Sequence, residues 1–287
     1  MKIRQKLSQA FLWLVLLAAL FVFVTPFIFM ISNSFVQFSY TLPYPPRFLP
    51  ASFNLDAYRY VLGNSQIVTA FLNSVLITAL TTALSLLVSG LSAYGFARIP
   101  FYGRDGLFKI YLFTLMLPGF LNLIPQFLVL NSIRIPFLFP NGMTGTRSGL
   151  ILLYVSTAVC GQTFFLRNFF QSVPNELAEA VRIDGGGHRH IFWRVLLPMS
   201  KPSVGTLAIM ALQGTWEEYF SAKVILGANE AMLTMPMMLQ RLHGEHATRW
   251  EWVFAASILM EIPIIILFAV FQKKFVVGGI SQGAIKE

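Results

Sequence analysis

Six long apolar stretches constrain this 287-residue chain more than any other feature of its sequence. They cover approximately residues 10–32, 67–97, 107–130, 149–166, 203–226 and 252–272. About 20 apolar residues in a helix are enough to cross the hydrocarbon core of a bilayer. The runs are continuous rather than alternating, which favours helices over the strands of a barrel. The sequence therefore predicts an all-α integral membrane protein, with six transmembrane helices in a single domain over residues 1–287.

The composition agrees with a membrane protein. Only 11% of the residues are charged and 56% are hydrophobic, whereas a soluble domain has about 25% charged residues. The single cysteine, Cys160, lies inside an apolar stretch, and the four histidines all lie in expected loops. This pattern predicts no disulfide framework, no metal site and no cofactor. It also lacks the arrangements of serine, histidine and acid that an intramembrane enzyme needs, so we do not expect an enzyme.

The basic residues predict how the chain lies in the membrane. If the N-terminus is cytoplasmic, fourteen of the 21 Lys and Arg residues fall on the cytoplasmic side and seven on the other. Cytoplasmic loops carry the excess of basic residues in membrane proteins, so both termini are expected in the cytoplasm. The same distribution explains much of the net charge of +9, which is therefore no indication of nucleic-acid binding.

The longest expected cytoplasmic loop, residues 174–201, separates the fourth and fifth stretches. Pro174 and Asn175 predict the start of a short helix, with Asn175 as its N-cap. Leu177, Ala180 and Val181 follow at helical spacing and predict a narrow apolar stripe. The glycines at 185–187 then predict the end of this helix.

A second short helix is predicted after the glycines. Ile191, Val195 and Leu196 would share one face, and Leu197-Pro198 would end the helix. The loop would then be two amphipathic helices around a glycine hinge. Such a pair can dock a protein partner or lie on the lipid surface, and these residues alone leave both open.

Polar side chains inside the apolar stretches are the candidate lining of a solute path. An acid at the centre of a membrane helix costs about 3 kcal/mol, so it faces a bundle interior or a water cavity. The same groups could instead form hydrogen bonds that fix helix packing. The candidates are Gln213, Trp216, Glu217, Glu218 and Tyr219 in the fifth stretch, Glu261 in the sixth, and Asn122 and Gln126 in the third.

The spacing within the cytoplasmic loop resembles a known signature. Glu179-Ala180-Val181 is followed after three residues by Gly185, and after nine more by Val195-Leu196-Leu197-Pro198. This is similar to the Glu-Ala-Ala…Gly…Ile-x-Leu-Pro signature of permease subunits in ATP-binding-cassette importers, with Val181 and Val195 as conservative departures. Further segments resemble the carbohydrate-uptake branch of that family: residues 73–74, 93–98, 101–104, 149–152, 183–185, 272–279 and 283–286.

The resemblance implies both partners and a mechanism. Partners would be a second permease subunit, two cytoplasmic ATP-binding subunits and an extracytoplasmic solute-binding protein, in the cytoplasmic membrane of a bacterium or archaeon. ATP hydrolysis would lie on the partners, because this chain has no G-x-x-x-x-G-K-[ST] loop to hold phosphates. The residues implied to couple the ATPase to transport are Glu179, Ala180, Val181, Asp184, Gly185, Leu197 and Pro198.

The resemblance also implies the cargo, a sugar or oligosaccharide that is imported by alternating access. The family usually has Asn where this chain has Glu217. Lys223 lies close to the acids in sequence, so an acidic sugar or a phosphorylated polyol stays open as the substrate. The alternative class is a self-sufficient secondary transporter, although the chain shows no inverted repeat.

Overall fold

The computed structural model describes residues 2–37, 40–50, 53–227, 229–244 and 248–283. Within these ranges all regular secondary structure is helical, which confirms the predicted all-α class. The end of the tail motif, residues 284–286, lies outside the described part of the chain. The helices are α1 (Lys2–Ser34), α2 (Asp56–Gly63), α3 (Ser65–Arg98), α4 (Arg104–Thr114), α5 (Leu123–Ser132), α6 (Arg147–Ser172), α7 (Asn175–Ile183), α8 (His188–Met199), α9 (Lys201–Trp216), α10 (Phe220–Leu226), α11 (Met235–Leu242) and α12 (Trp250–Gly283).

Four of these helices are long and apolar enough to cross a membrane. The spans lie in α1, α3, α6 and α12 and correspond to the first, second, fourth and sixth apolar stretches. These helices expose apolar side chains; in α1, for example, Phe21 and Phe23 are 71% and 73% exposed. Such apolar surfaces need lipid or another protein to cover them.

The third apolar stretch is not one continuous helix, contrary to the prediction for residues 107–130. Helix α4 ends at Thr114, and a short 3₁₀ turn from Gly119 leads into α5, which lies at 96° to α4. Pro118 stands directly before the 3₁₀ turn with an extended backbone. Its ring and missing N–H prevent the helix from continuing through this position.

The fifth stretch is also broken, contrary to the prediction of one helix over residues 203–226. Helix α9 ends at Trp216, and α10 begins at Phe220. At its other end α9 meets α8 at 76° across Ser200. Interrupted helices occur inside membranes only where protein or a water-filled cavity satisfies the freed backbone groups.

The chain divides into two compact units. The first comprises residues 1–68 and 238–263, and the second comprises residues 69–237 and 264–287. In the first unit, the rings of Tyr60 and Trp252 stack with centroids 3.6 Å apart. Next to them, the buried carboxylate of Glu251 accepts hydrogen bonds from Arg249, whose guanidinium lies 4.2 Å from the Trp252 ring. Aromatic packing and the ion pair between Arg249 and Glu251 thus stabilise this part of the first unit.

In the second unit, buried polar groups join α3 to its neighbours. Gln162 of α6 donates to Ser85 and accepts from Ser89, at 3.2 and 3.1 Å. Near the start of α3, Asn73 donates to the backbone carbonyls of Ala231 and Leu233. Hydrogen bonds of this kind fix the packing of membrane helices, where no water competes for the polar groups. The second unit contains all candidate residues except Glu261.

Candidate functional site

The first part of the site is the α7–α8 segment, residues 174–201. Helix α7 starts where the sequence predicted, but Asn175 is its first residue and not its cap. Pro174 takes the N-cap position, and the Asn175 side chain instead accepts a hydrogen bond from Arg98. The side-chain oxygen of Asn175, which in an N-cap would accept a hydrogen bond from a backbone N–H of the helix, thus accepts one from Arg98.

The glycines end α7 as predicted, and the first two do so for different reasons. Gly185 has a left-handed backbone with φ of +77°, and its N–H donates to the carbonyl of Arg182. Gly186 donates to the carbonyl of Val181, and a methyl group on Gly186 would lie 2.5 Å from the Val181 side chain. Gly187 has nothing within 4 Å of that position. Two of the three glycines are therefore required by the turn.

The apolar face of α7 differs from the predicted stripe. Ala178 and Val181 pack on the core of the second unit. Leu177 is 40% exposed, Ala180 is exposed, and Ile183 is 86% exposed. The predicted stripe was wrong because Val181 packs against the core, whereas Leu177, one turn earlier, faces the surface. Leu177, Ala180 and Ile183 together leave an exposed apolar patch on this ordered helix, and such patches, unlike single exposed apolar residues, mark contact sites for other proteins.

Helix α8 is longer than predicted and is anchored in the core. Ile191, Phe192 and Leu196 are at most 4% exposed and pack among side chains of α3 and α6, including Tyr94 and Phe170. Because each large apolar side chain contributes about 1.5–3 kcal/mol on burial, α8 is held firmly to these two helices.

Leu197-Pro198 does not end α8, contrary to the prediction. Residues Ile191–Leu196 form a π-helical turn, and the helix continues to Met199. The N–H of Leu197 donates to the carbonyl of Phe192, five residues earlier. A wider turn at this point relieves the clash that the Pro198 ring would otherwise make with the carbonyl four residues before it.

Arg98 ties α3 to the start of this segment. Its guanidinium donates to the backbone carbonyls of Phe170 and Val173, where α6 ends, and to Asn175, where α7 begins. Nearby, the Tyr94 hydroxyl and His188 Nδ1 share a hydrogen bond of 2.7 Å. Together with the apolar packing, these bonds connect α3 and the end of α6 to the α7–α8 segment.

The second part of the site is a groove of about 720 Å³ in the second unit. We call it the Glu218 groove. Its lining is mostly apolar, and its volume lies within the range of about 300–1,000 Å³ of small-molecule sites. The polar groups in its lining are Gln126, Tyr154, Thr157, Gln162, Thr215, Glu218 and Ser221.

Glu218 has a structural role as well as a place in this lining. Its carboxylate accepts hydrogen bonds from the backbone N–H groups of Ser221 and Ala222, at 2.7 and 3.0 Å, and from the Tyr154 hydroxyl. The acid thus satisfies the free N–H groups at the start of α10, where a negative charge is favourable. Glu218 therefore stabilises the chain where the fifth apolar stretch breaks.

The other candidates of the fifth stretch lie outside this lining. Gln213 donates to Glu217 at 3.2 Å, so the two share a face as their spacing predicts, and both are exposed. Trp216 is 4% exposed and meets Phe71 edge to face, with ring centroids 5.7 Å apart. Tyr219 is half-buried. This geometry suits Trp216 to helix packing.

The third stretch contributes both of its candidates to grooves. A second groove of about 420 Å³ is lined by Asn122 and Gln126, and Gln126 also lines the Glu218 groove. Glu261 lies in α12 within the first unit, half-buried. The structure thus brings Gln126 and Glu218 to one groove and Asn122 to the adjoining one.

Tyr154 and Arg98 were missed by the sequence analysis. Tyr154 places its hydroxyl against Glu218 inside the Glu218 groove. The indication in the sequence is that Tyr154 carries a polar hydroxyl group within the mostly apolar fourth stretch. Arg98 was noted only as part of a motif, although its position at the end of an apolar stretch gave a reason to expect bonds to nearby helix ends.

Comparison with known proteins identifies the family. Residues 85–276 match the family described as binding-protein-dependent transport system inner membrane component. The diacetylchitobiose uptake system permease protein NgcG of Streptomyces coelicolor is 31% identical, over 92% of this chain and 84% of the relative. The polygalacturonan/rhamnogalacturonan transport system permease protein YtcP of Bacillus subtilis is 29% identical, over 92% of each chain.

A solved structure shares the fold. It is that of a bacterial ABC transporter involved in the import of the acidic polysaccharide alginate, with a TM-score of 0.77 and 24% identity. The match covers 94% of this chain and 97% of the other. The resemblance to permeases of carbohydrate-uptake ABC importers is confirmed. This chain belongs to the family of binding-protein-dependent transport system inner membrane components.

Proposed function

We propose that this chain is a permease subunit that carries a neutral oligosaccharide into the cytoplasm by alternating access, driven by a separate ATPase. As a member of its family, the chain is a multi-pass inner-membrane transport subunit and not an enzyme. One observation supports the proposal above all others. The exposed apolar side chains of α7 stand on a segment that is anchored to membrane helices α3 and α6.

The proposed topology has six spans and both termini in the cytoplasm. Four long helices supply four spans, and the two bent helix pairs supply the third and fifth. The fourteen basic residues on the proposed cytoplasmic side outnumber the seven on the other side. In this arrangement the α7–α8 segment lies in the cytoplasm, where an ATPase can reach it.

Helix α7 is the proposed docking element for the ATPase. Leu177, Ala180 and Ile183 would enter an apolar groove on the partner, a mode of recognition common for exposed helices. The exposed carboxylates of Glu179 and Asp184 would meet basic groups at its rim. Closure of the ATPase on ATP would then pull α7, and α8 and Arg98 would pass the motion to α3 and α6.

The proposed assembly contains a second permease subunit, two ATP-binding subunits and an extracytoplasmic solute-binding protein. The exposed apolar surface of the chain supports further membrane partners as well as lipid. The family is defined by dependence on a binding protein. A similar structure shows an alginate transporter with a periplasmic protein bound to an alginate pentasaccharide, with a TM-score of 0.68.

The Glu218 groove is the proposed contribution of this chain to the solute path. Gln126 and Asn122 offer amide groups to sugar hydroxyls, and the apolar lining suits the faces of sugar rings. The Glu218 carboxylate is already compensated by three hydrogen bonds. No Lys, Arg or His is among the lining residues described for the two grooves, and Lys223 is not among them. This lining favours a neutral sugar over an acidic or phosphorylated one.

The test is ATP-driven uptake by the reconstituted transporter with Glu179→Lys in this chain. We expect the ATPase subunits to be lost on purification, or ATP hydrolysis to continue without uptake. Asp105→Lys makes the same charge change in α4 and should leave coupling intact. Uptake by this chain with no ATPase in the preparation would contradict the proposal and favour a secondary transporter.

A further inference from the structure

The outer face of α8 carries a basic and aromatic cluster that the coupling role does not use. Arg189, His190, Trp193 and Arg194 line a shallow concavity of about 380 Å³. Arg189 and Trp193 are one helical turn apart, as are His190 and Arg194, so the four side chains share one side of the helix. We call them the Trp193 cluster.

The cluster is held in place by the opposite face of the same helix. Because Ile191, Phe192 and Leu196 are buried in the core, the Trp193 cluster faces outward. Trp193 is 48% exposed, and its ring meets Phe192 edge to face with centroids 5.1 Å apart. An anchored tryptophan with half of its surface open is typical of the interface between membrane and water.

The positive charge of the cluster is not neutralised by the chain. The sequence has no Asp or Glu between Asp184 and Glu217. Within the described residues, Arg189 and Arg194 form no salt bridge. The two guanidinium groups therefore remain available to an external anion, and their planar geometry suits phosphate oxygens.

The angle of α8 indicates where this anion lies. Helix α9 begins the fifth membrane stretch, and α8 meets it at 76°. A helix at this angle to a membrane span runs roughly parallel to the bilayer surface, and the half-exposed Trp193 suits the depth of the lipid headgroups. In the proposed topology this is the cytoplasmic leaflet, whose anionic lipids attract basic residues.

We propose that the Trp193 cluster binds the headgroup of an anionic phospholipid in the cytoplasmic leaflet. Arg189 and Arg194 hold the phosphate, and the indole of Trp193 lies beside the glycerol region. The bound lipid anchors α8 to the membrane surface where the α7–α8 segment meets the fifth span. This inference rests on the proposed topology.

The experiment measures phospholipid retention by native mass spectrometry. The transporter is purified with its co-expressed subunits and titrated with phosphatidylglycerol or phosphatidylcholine. Each basic residue near an anionic surface contributes about a fivefold effect, so Arg189→Gln with Arg194→Gln should weaken phosphatidylglycerol retention roughly 10- to 30-fold. Trp193→Ala should weaken it without a change of charge. Phosphatidylcholine binding should not change, and millimolar inorganic phosphate should not displace the lipid.

The matched control, Arg104→Gln with Lys109→Gln, removes two charges from α4. An equal loss of retention in this control would overturn the proposal, as would unchanged retention in the Arg189/Arg194 variant. Loss of the ATPase subunit with retention unchanged would identify the cluster as a protein contact instead. Displacement by phosphate would identify a small-anion site. Failure of ATP-driven uptake while retention persists would count against the proposed function and not against the lipid site.

Discussion

At the scale of single residues, Glu218 shows how one side chain can serve both the fold and the site. Its carboxylate accepts two backbone hydrogen bonds at the start of α10 and a third from Tyr154. These bonds hold an interrupted helix beside the Glu218 groove, as in other transporters with broken helices. Its sequence neighbour Glu217 has the same chemistry but lies outside the groove lining, hydrogen-bonded to Gln213.

Gln126 and Glu217 give a direct test of which residues belong to the solute path. Gln126 lines both grooves, so Gln126→Ala should raise the KM for uptake roughly 3- to 10-fold, the effect of about one lost hydrogen bond. Glu217→Ala should change the KM less than about twofold, because this exposed side chain lines neither groove. Initial rates of labelled sugar uptake measure both. The opposite ranking would place the path on the exposed face of α9.

The glycines after α7 give a test in which neighbouring residues should behave differently. Gly186→Ala should destabilise the transporter by about 1–3 kcal/mol, because the new methyl group would meet Val181. Gly187→Ala should be tolerated, since that position is open. Thermal unfolding of the purified transporter and co-purification of the ATPase measure the two effects. Equal destabilisation by both variants would contradict the turn geometry.

At the scale of elements, the α7–α8 segment is attached to α3 and α6 by buried side chains and hydrogen bonds and is not a loose loop. Helix α8 has three large apolar side chains in the core, and Arg98 joins the ends of α3 and α6 to α7. An element that transmits force needs such contacts, because a mobile loop would absorb the motion. The glycine turn at 185–187 separates the exposed helix α7, which is the proposed docking element, from helix α8, which is anchored in the core.

Arg98→Lys tests this attachment while keeping the positive charge. Lysine cannot reproduce the planar fork that bonds two carbonyls and Asn175, so uptake should fall several-fold while the ATPase remains bound. The loss in stability should be about 1.5–3 kcal/mol, as for hydrogen bonds to a charged group. Uptake per ATP hydrolysed is the measurement, and Arg104→Lys in α4 is the control. Normal coupling in Arg98→Lys would show that α8 alone transmits the motion.

At the scale of the whole molecule, each unit exposes apolar surface that a single chain cannot cover. Phe21 and Phe23 in the first unit and Ile110 and Ile124 in the second are each more than 65% exposed. Lipid and the proposed second permease are the natural covers for this surface. The proposed function therefore belongs to an assembly, in which this chain supplies a docking helix and part of a solute path.

The topology can be tested with single cysteines. Cys160→Ser removes the only native cysteine. Tyr44 and Tyr102 are fully or almost fully exposed, on proposed outer and inner connections respectively. A membrane-impermeant maleimide should label Tyr44→Cys in intact spheroplasts, and Tyr102→Cys only after permeabilisation. Labelling of Tyr102→Cys in intact spheroplasts would contradict the proposed orientation.

The sequence by itself determined the helical membrane class, the α7 helix and its glycine stop, and the family signature. These features depend on local spacing and on the length of apolar runs, so a single segment contains the whole signal. The tertiary structure decided which polar groups share a groove and which face of α7 is exposed. Those outcomes depend on contacts between distant residues: Tyr154 bonds Glu218 across 64 positions, and Arg98 bonds Asn175 across 77. Such contacts exist only once the helices have packed, so no local pattern specifies which distant residues meet.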